Sequence, residues 1–254
     1  MKIAFAGKGG SGKTTVSGTT ARVLAAEGHP VIAIDGDANP NLGTTLGLPR
    51  EAFDQGSPLT RDLLMTNGDN RGGNLAILTR PLSDIIDEHA VDAADGIRLL
   101  TMGRAEKAGS GCMCGNHAAV RVLVREITDP KQIVVLDMEA SPEHMTRAST
   151  EHVEHMLLVA EPYFKSLETA RRYHKLAVDL GIPKVSIVAN KVRPEDQEIV
   201  GEYCDSHGFS LIATIPYEPR FAEAEQLAAA PFEVAGDSPG VDAIRGLAKK
   251  LVSS

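Results

Sequence analysis

The nine residues Gly7-Lys8-Gly9-Gly10-Ser11-Gly12-Lys13-Thr14-Thr15 constrain this chain more than any other stretch. They follow the apolar run Ile3-Ala4-Phe5-Ala6, which reads as a buried strand. They precede Val16–Leu24, where Val16, Val23 and Leu24 recur at helical spacing before a stop at Gly28. Strand, glycine-rich loop, Lys-Thr and helix, in that order, make a P-loop. The glycines let successive backbone N–H groups turn toward phosphate oxygens, and the helix N-terminus adds the positive end of its dipole. Lys13 is then expected to reach the β- and γ-phosphates, and the Thr14 hydroxyl to ligate Mg²⁺.

The remaining pattern repeats this alternation. Strands are expected at His29–Asp35, Gly96–Gly103, Gln132–Asp137, His155–Ala160, Lys184–Ala189 and Leu211–Pro216, and helices at Ala118–Val124, Ser166–Leu180, Asp196–His207, Phe221–Ala230 and Val241–Val252. Thr60–Leu64 reads as a short helix, Asn67–Asn74 as a loop, Ala76–Leu78 as an edge strand, Leu82–His89 as a helical turn and Pro231–Pro239 as a linker. The fold class that follows is α/β: a mostly parallel twisted sheet with helices on both faces, in a single P-loop domain over residues 1–254.

Carboxylates stand where such a sheet places its ligands. The strand His29–Asp35 runs into Asp35-Gly36-Asp37, about 20 residues beyond the loop, and Gln132–Leu136 delivers Asp137 in the manner of a Walker B acid. Asp137 and Thr14 are the candidate Mg²⁺ residues. A glycine-flanked Gly111-Cys112-Met113-Cys114 precedes a helix, a setting that lowers thiol pKa and favours metal binding or redox work. Two cysteines fall short of the four ligands of a closed tetrahedral site, and a two-fold axis would supply the rest. His117 is a further candidate ligand or a plain helix-start histidine.

Composition excludes other classes. A net charge of −8, 4 % aromatic residues and no Trp leave nothing for a nucleic-acid surface. No apolar run reaches about 20 residues, and a strand begins within a few residues of Met1, so neither a membrane span nor a signal peptide is expected. Three cysteines make no disulfide framework, which suits a reducing cytoplasm.

Lys8 adds an early lysine to the loop, which reads Lys-Gly-Gly-x-Gly-Lys-Thr-Thr. This loop resembles the deviant P-loop of the MinD, ParA, ArsA, nitrogenase iron protein and CooC family. The Asp-Gly-Asp at Asp35–Asp37, the Gly-Cys-x-Cys and the Asp-Met-Glu-Ala at Asp137–Ala140 resemble the CooC-type branch, whose members mature the nickel site of carbon monoxide dehydrogenase and whose relatives serve acetyl-CoA synthase. The resemblance implies an ATPase in which Lys8 acts in trans on the nucleotide of a partner subunit. It implies that Asp37 positions the attacking water and that Asp35 tunes the Mg²⁺ shell. Asn190, in Ala189-Asn190-Lys191, would recognise adenine, with Pro216 closing over the base. Cys112 and Cys114 would hold Ni²⁺ or Zn²⁺ at a homodimer interface, for a carbon monoxide dehydrogenase-like client. One departure stands out: relatives carry Ala-Gly where this chain has Ala140-Ser141-Pro142, which predicts a stiffer second switch. Two rivals share the P-loop. A positioning ATPase of the MinD/ParA kind would use the last helix on a membrane, but that helix has few basic residues. An iron–sulfur electron donor like nitrogenase iron protein would need a Cys between Asp137 and Thr150, and there is none.

Overall fold

Four apolar runs, ending at Gly7, Gly36, Met138 and Ala160, are long enough to be strands and lack the polar alternation of a half-exposed sheet. Such runs are stable only where both faces of a parallel sheet are covered. In the computed structural model, which describes residues 1–53, 56–68, 74–103, 114–139 and 152–253, these runs form the sheet's centre. The strands are β1 (Lys2–Gly7), β2 (Val31–Gly36), β3 (Leu64–Gly68), β4 (Asn74–Leu78), β5 (Val91–Asp92), β6 (Arg98–Thr101), β7 (Ile133–Met138), β8 (His155–Ala160), β9 (Lys184–Val192) and β10 (Ser210–Pro216). Eight make one sheet in the order β10-β9-β8-β1-β7-β2-β6-β5, parallel except where β5 pairs with β6.

Alternation along each strand divides the core in two. Ala4, Ala6, Ile32, Ile34, Val134, Leu136, Met156 and Leu158 face one side. There they meet Val120 and Leu123 of the helix Cys114–Glu126, and Leu167, Ala170 and Tyr173 of the helix Phe164–Asp179. Ile3, Phe5, Val31, Ala33, Ile133, Val135, Leu157 and Val159 face the other side. These meet α1 (Lys13–Ala26) and the final helix Pro239–Val252 through Val16, Leu24, Ile244, Leu247 and Leu251. The apolar stripe of the final helix is thus packed on the core. No helix among the described residues is long and apolar enough to cross one.

Three segments differ from expectation. Only Arg61–Leu63 is helical, as a 3₁₀ turn, and Leu64 already belongs to β3. Ala76–Leu78 lies in β4, which pairs antiparallel with β3 as a separate two-stranded sheet rather than at the edge of the main one. Pro231–Pro239 is no linker. Pro231–Val234 is a helical turn packed on α1, where the buried Arg22 binds Glu233 at 3.0 Å, Asp95 at 3.0 Å and the Leu46 carbonyl at 3.0 Å while lying over the Phe232 ring. Long-range partners set these outcomes, and no local pattern reports them.

Candidate functional site

Strand β1 is central, so the loop that leaves it emerges at the middle of the sheet's C-terminal edge. Gly7 passes so close to the Val159 carbonyl that a Cβ would overlap it. The chain then turns, with the Ser11 N–H donating to the Lys8 carbonyl at 3.1 Å. Gly12 takes φ 88°, a left-handed conformation that opens α1 without a side-chain cap, and a Cβ there would strike the Asn190 amide. The first turn of α1 carries no acid. Its free N–H groups and positive dipole end are therefore left for an anion. Gly9 and Gly10 are exposed, Ser11 and Lys13 are buried, and Thr14 and Thr15 are half-buried beside them.

The carboxylates converge from the same edge. Strands β2 and β7 are adjacent, and their register sets Asp35 directly opposite Asp137. The Thr14 hydroxyl donates to Asp137 Oδ2 at 2.6 Å. Asp137 Oδ1 is buried and has no hydrogen-bond partner among the described residues, the nearby Ser17 hydroxyl being turned to the Thr14 carbonyl at 3.2 Å. Burial pushes Asp137 up to about 6, against the pull of Lys13 and the Thr14 hydroxyl. Burial, and then the Asp137 charge, push Asp35 up to about 7. Asp35 also organises the turn that follows it. Its Oδ1 accepts from the Asp37 N–H at 3.1 Å, and its Oδ2 accepts from Asn41 and Leu42 at 2.9 and 2.8 Å. Asp37 is half-buried and accepts from the Asn39 N–H at 2.9 Å. A hydroxyl, two crowded carboxylates and one orphaned carboxylate oxygen fit a hard divalent cation such as Mg²⁺, which prefers oxygen donors.

Strand β9 delivers Asn190 and Lys191 to the back of the loop. Asn190 Nδ2 donates to the Ser11 carbonyl at 2.8 Å, while its Oδ1 is buried without a hydrogen-bond partner among the described residues. Lys191, in the left-handed region at φ 58°, donates to the Gly10 carbonyl at 2.6 Å. Pro216 ends β10 in register with Val192, and the Tyr217 N–H donates to the Val192 carbonyl at 2.9 Å. The Arg193 guanidinium lies over the Tyr217 ring at 5.1 Å. Asn190, Lys191 and Pro216 thus gather on one flank of the loop, and the acids Asp35, Asp37 and Asp137 on the other.

Glu161 and Tyr163, which no motif singled out, stand beside Lys8. Lys8 Nζ is 3.2 Å from the Tyr163 hydroxyl, which donates to Glu161 Oε2 at 2.7 Å. Glu161 Oε1 pairs with Lys191 at 3.0 Å. One signal was available in the sequence: Glu161-Pro162 follows an apolar strand at the ligand edge.

The cysteine pair is not described to the same depth. Cys112 and the segment 140–151, with Ser141 and Pro142, lie outside the described residues. Cys114 opens the helix Cys114–Glu126 after β6, but its side chain lies outside them too. No cluster of three or more metal-ligating side chains occurs among the described residues. His117 is buried in that helix, and Asn116 Nδ2 donates to the Met102 carbonyl at 2.9 Å. Cys204 is buried in the helix Gln197–His207, and burial pushes its thiol up, as suits an inert cysteine.

Comparison with known proteins agrees with this geometry. Residues 2–231 match the CobQ/CobB/MinD/ParA nucleotide binding domain. The chain is 40 % identical over 232 residues to the carbon monoxide dehydrogenase accessory protein CooC of Rhodospirillum rubrum, covering 89 % of this chain and 87 % of that one. It is 37 % identical over 234 residues to an uncharacterised ATP-binding protein of Methanocaldococcus jannaschii, covering 89 % of each. Among solved structures, the MinD cell division protein of Aquifex aeolicus superposes with a TM-score of 0.74 at 21 % identity, over 100 % of this chain and 97 % of that one. The chain belongs to the CobQ/CobB/MinD/ParA nucleotide-binding family and is a homologue of CooC.

Proposed function

We propose that this protein is an ATP-hydrolysing, Mg²⁺-dependent metallochaperone. It acts as a cytoplasmic homodimer and carries Ni²⁺ or Zn²⁺ on Cys112 and Cys114 to a carbon monoxide dehydrogenase- or acetyl-CoA synthase-type client. The observation that carries the reading is the 40 % identity to CooC over 89 % of a chain that carries the P-loop lysines, the paired Asp35 and Asp137, and the Cys-x-Cys.

The chemistry follows from placement. Backbone N–H groups of Gly9–Thr15 and the α1 dipole bind the phosphates, and Lys13 neutralises the charge that spreads over the transferred group in a loose transition state. Thr14, Asp137 and Asp35 are the residues that would hold Mg²⁺, which supplies charge neutralisation between phosphate oxygens. Asp37, less buried than its neighbours and on the loop beyond β2, orients the attacking water. Asn190 offers the adenine edge an acceptor that has no other partner among the described residues, and Lys191 and Pro216 flank the base. Lys8 from the partner subunit completes each site. The metal is cargo: each subunit contributes two thiolates, and four across the two-fold axis suit a tetrahedral site.

A metal titration of the wild type and of a Cys112→Ser/Cys114→Ser variant, each followed by molar mass, tests this reading. The wild type is expected to take up about one Ni²⁺ or Zn²⁺ per dimer, and the variant none. Equally tight binding by the variant would overturn the metal assignment.

A further inference from the structure

We infer that Glu161 and Tyr163 form a holding site for Lys8, which keeps that lysine docked on its own subunit until a second copy of the chain draws it across. The inference rests on the reading that Lys8 acts in trans, and it adds the residues that set when it does so.

Lys8 is not a loose loop lysine. Its ammonium lies 3.2 Å from the Tyr163 hydroxyl oxygen and 5.3 Å from the centroid of the same ring, which places it beyond the hydroxyl edge, where the phenol oxygen rather than the ring face receives it. The Tyr163 proton is committed to Glu161 Oε2 at 2.7 Å. The phenol oxygen is thereby left to accept, and a hydrogen bond donated to a carboxylate enriches its electron density.

Glu161 is itself fixed. It follows the last residue of β8, and its N–H donates to Ser166 Oγ at 3.0 Å. Its second oxygen holds Lys191, which in turn holds the Gly10 carbonyl at 2.6 Å. One carboxylate therefore ties the position of Lys8 to the conformation of the loop tip. Tyr163 is 40 % exposed, so a partner subunit can reach the contact.

A docked Lys8 is unavailable to any nucleotide, and a symmetric dimer must undock two of them. Apparent affinity falls by the fraction of chains whose lysine is free. Removing the holding site should tighten association without adding any contact.

The test is a double-mutant cycle on dimerisation, measured by molar mass against protein concentration with Mg²⁺ and a non-hydrolysable ATP analogue. Tyr163→Ala is expected to lower the dimer dissociation constant about tenfold, the scale of two weak cation contacts released per dimer. Tyr163→Phe, which keeps the ring and loses the acceptor, should match Tyr163→Ala. In a Lys8→Ala background, Tyr163→Ala should have no effect. An unchanged or weakened dimer in Tyr163→Ala, or a shift that persists without Lys8, would overturn the holding site. ATP hydrolysis by Lys8→Ala reads the underlying assumption separately: full hydrolysis there would refute the trans lysine itself, whatever the cycle returns.

Discussion

At the scale of single residues, Asp137 shows how the site stores the affinity it needs. Its carboxyl is buried, with one oxygen held by Thr14 and the other unpartnered among the described residues, and Asp35 stands opposite in register. A pKa of about 6 in the folded chain against an ordinary 3.8 means that the folded state keeps a proton the unfolded state has released. Stability without nucleotide or cation should then fall as pH rises from about 4 through about 6, the reverse of a salt-bridged acid. Asp137→Asn removes the ionised form and should flatten this slope. Urea midpoints should show the variant close to wild type at about pH 3.5 and more stable by on the order of 1–3 kcal/mol at about pH 8. The same variant should lose Mg²⁺-dependent hydrolysis. A buried carboxylate that is costly when empty is stabilising once a cation offsets its charge. In the sequence Asp137 was legible as an acid at a strand end. The unpartnered oxygen was not, since it depends on where Thr14 and Ser17 point.

At the scale of elements, the final helix shows what amphipathic spacing does and does not say. Val241, Ile244, Leu247, Ala248 and Leu251 make a stripe that would suit a membrane surface or a core equally well. Packing against α1 and β10 decides for the core, with Leu247 fully buried. Leu247→Ala should therefore cost about 2–5 kcal/mol in urea unfolding, while Lys249→Ala on the exposed face should stay within about 0.5 kcal/mol. Equal, small effects would mean that the stripe is not core. The strands were readable because burial on both faces demands unbroken apolar runs. The turn Pro231–Val234 was not, because its reason for folding is Arg22, more than two hundred residues earlier in the chain.

At the scale of the whole molecule, the proposed dimer joins two ligands, a nucleotide and a metal. Nucleotide is proposed at the edge of β1, and Cys114 opens the helix Cys114–Glu126 that follows β6. Both are expected to favour the associated state, so each should strengthen the other by the same factor. Metal at about 100 times its dissociation constant would stabilise the competent dimer by roughly 2.7 kcal/mol. Isothermal titration of metal with and without the ATP analogue should show tighter metal binding in its presence, and the reverse titration should return the same factor. Affinities that ignore one another would separate the two sites and remove the reason for coupling hydrolysis to cargo.

Residue identity and spacing alone determined the P-loop, the parallel sheet and the acids at its edge. A phosphate cradle needs glycines at fixed intervals, and doubly buried strands need continuous apolar runs. These are local demands, and a linear chain records them. The tertiary structure decided which acids face each other, because register sets Asp35 against Asp137 across strands about one hundred residues apart. It also decided what holds Lys8. Glu161 and Tyr163 carry no motif between them, and their meaning arises only where β8 and β9 end beside the loop that leaves β1.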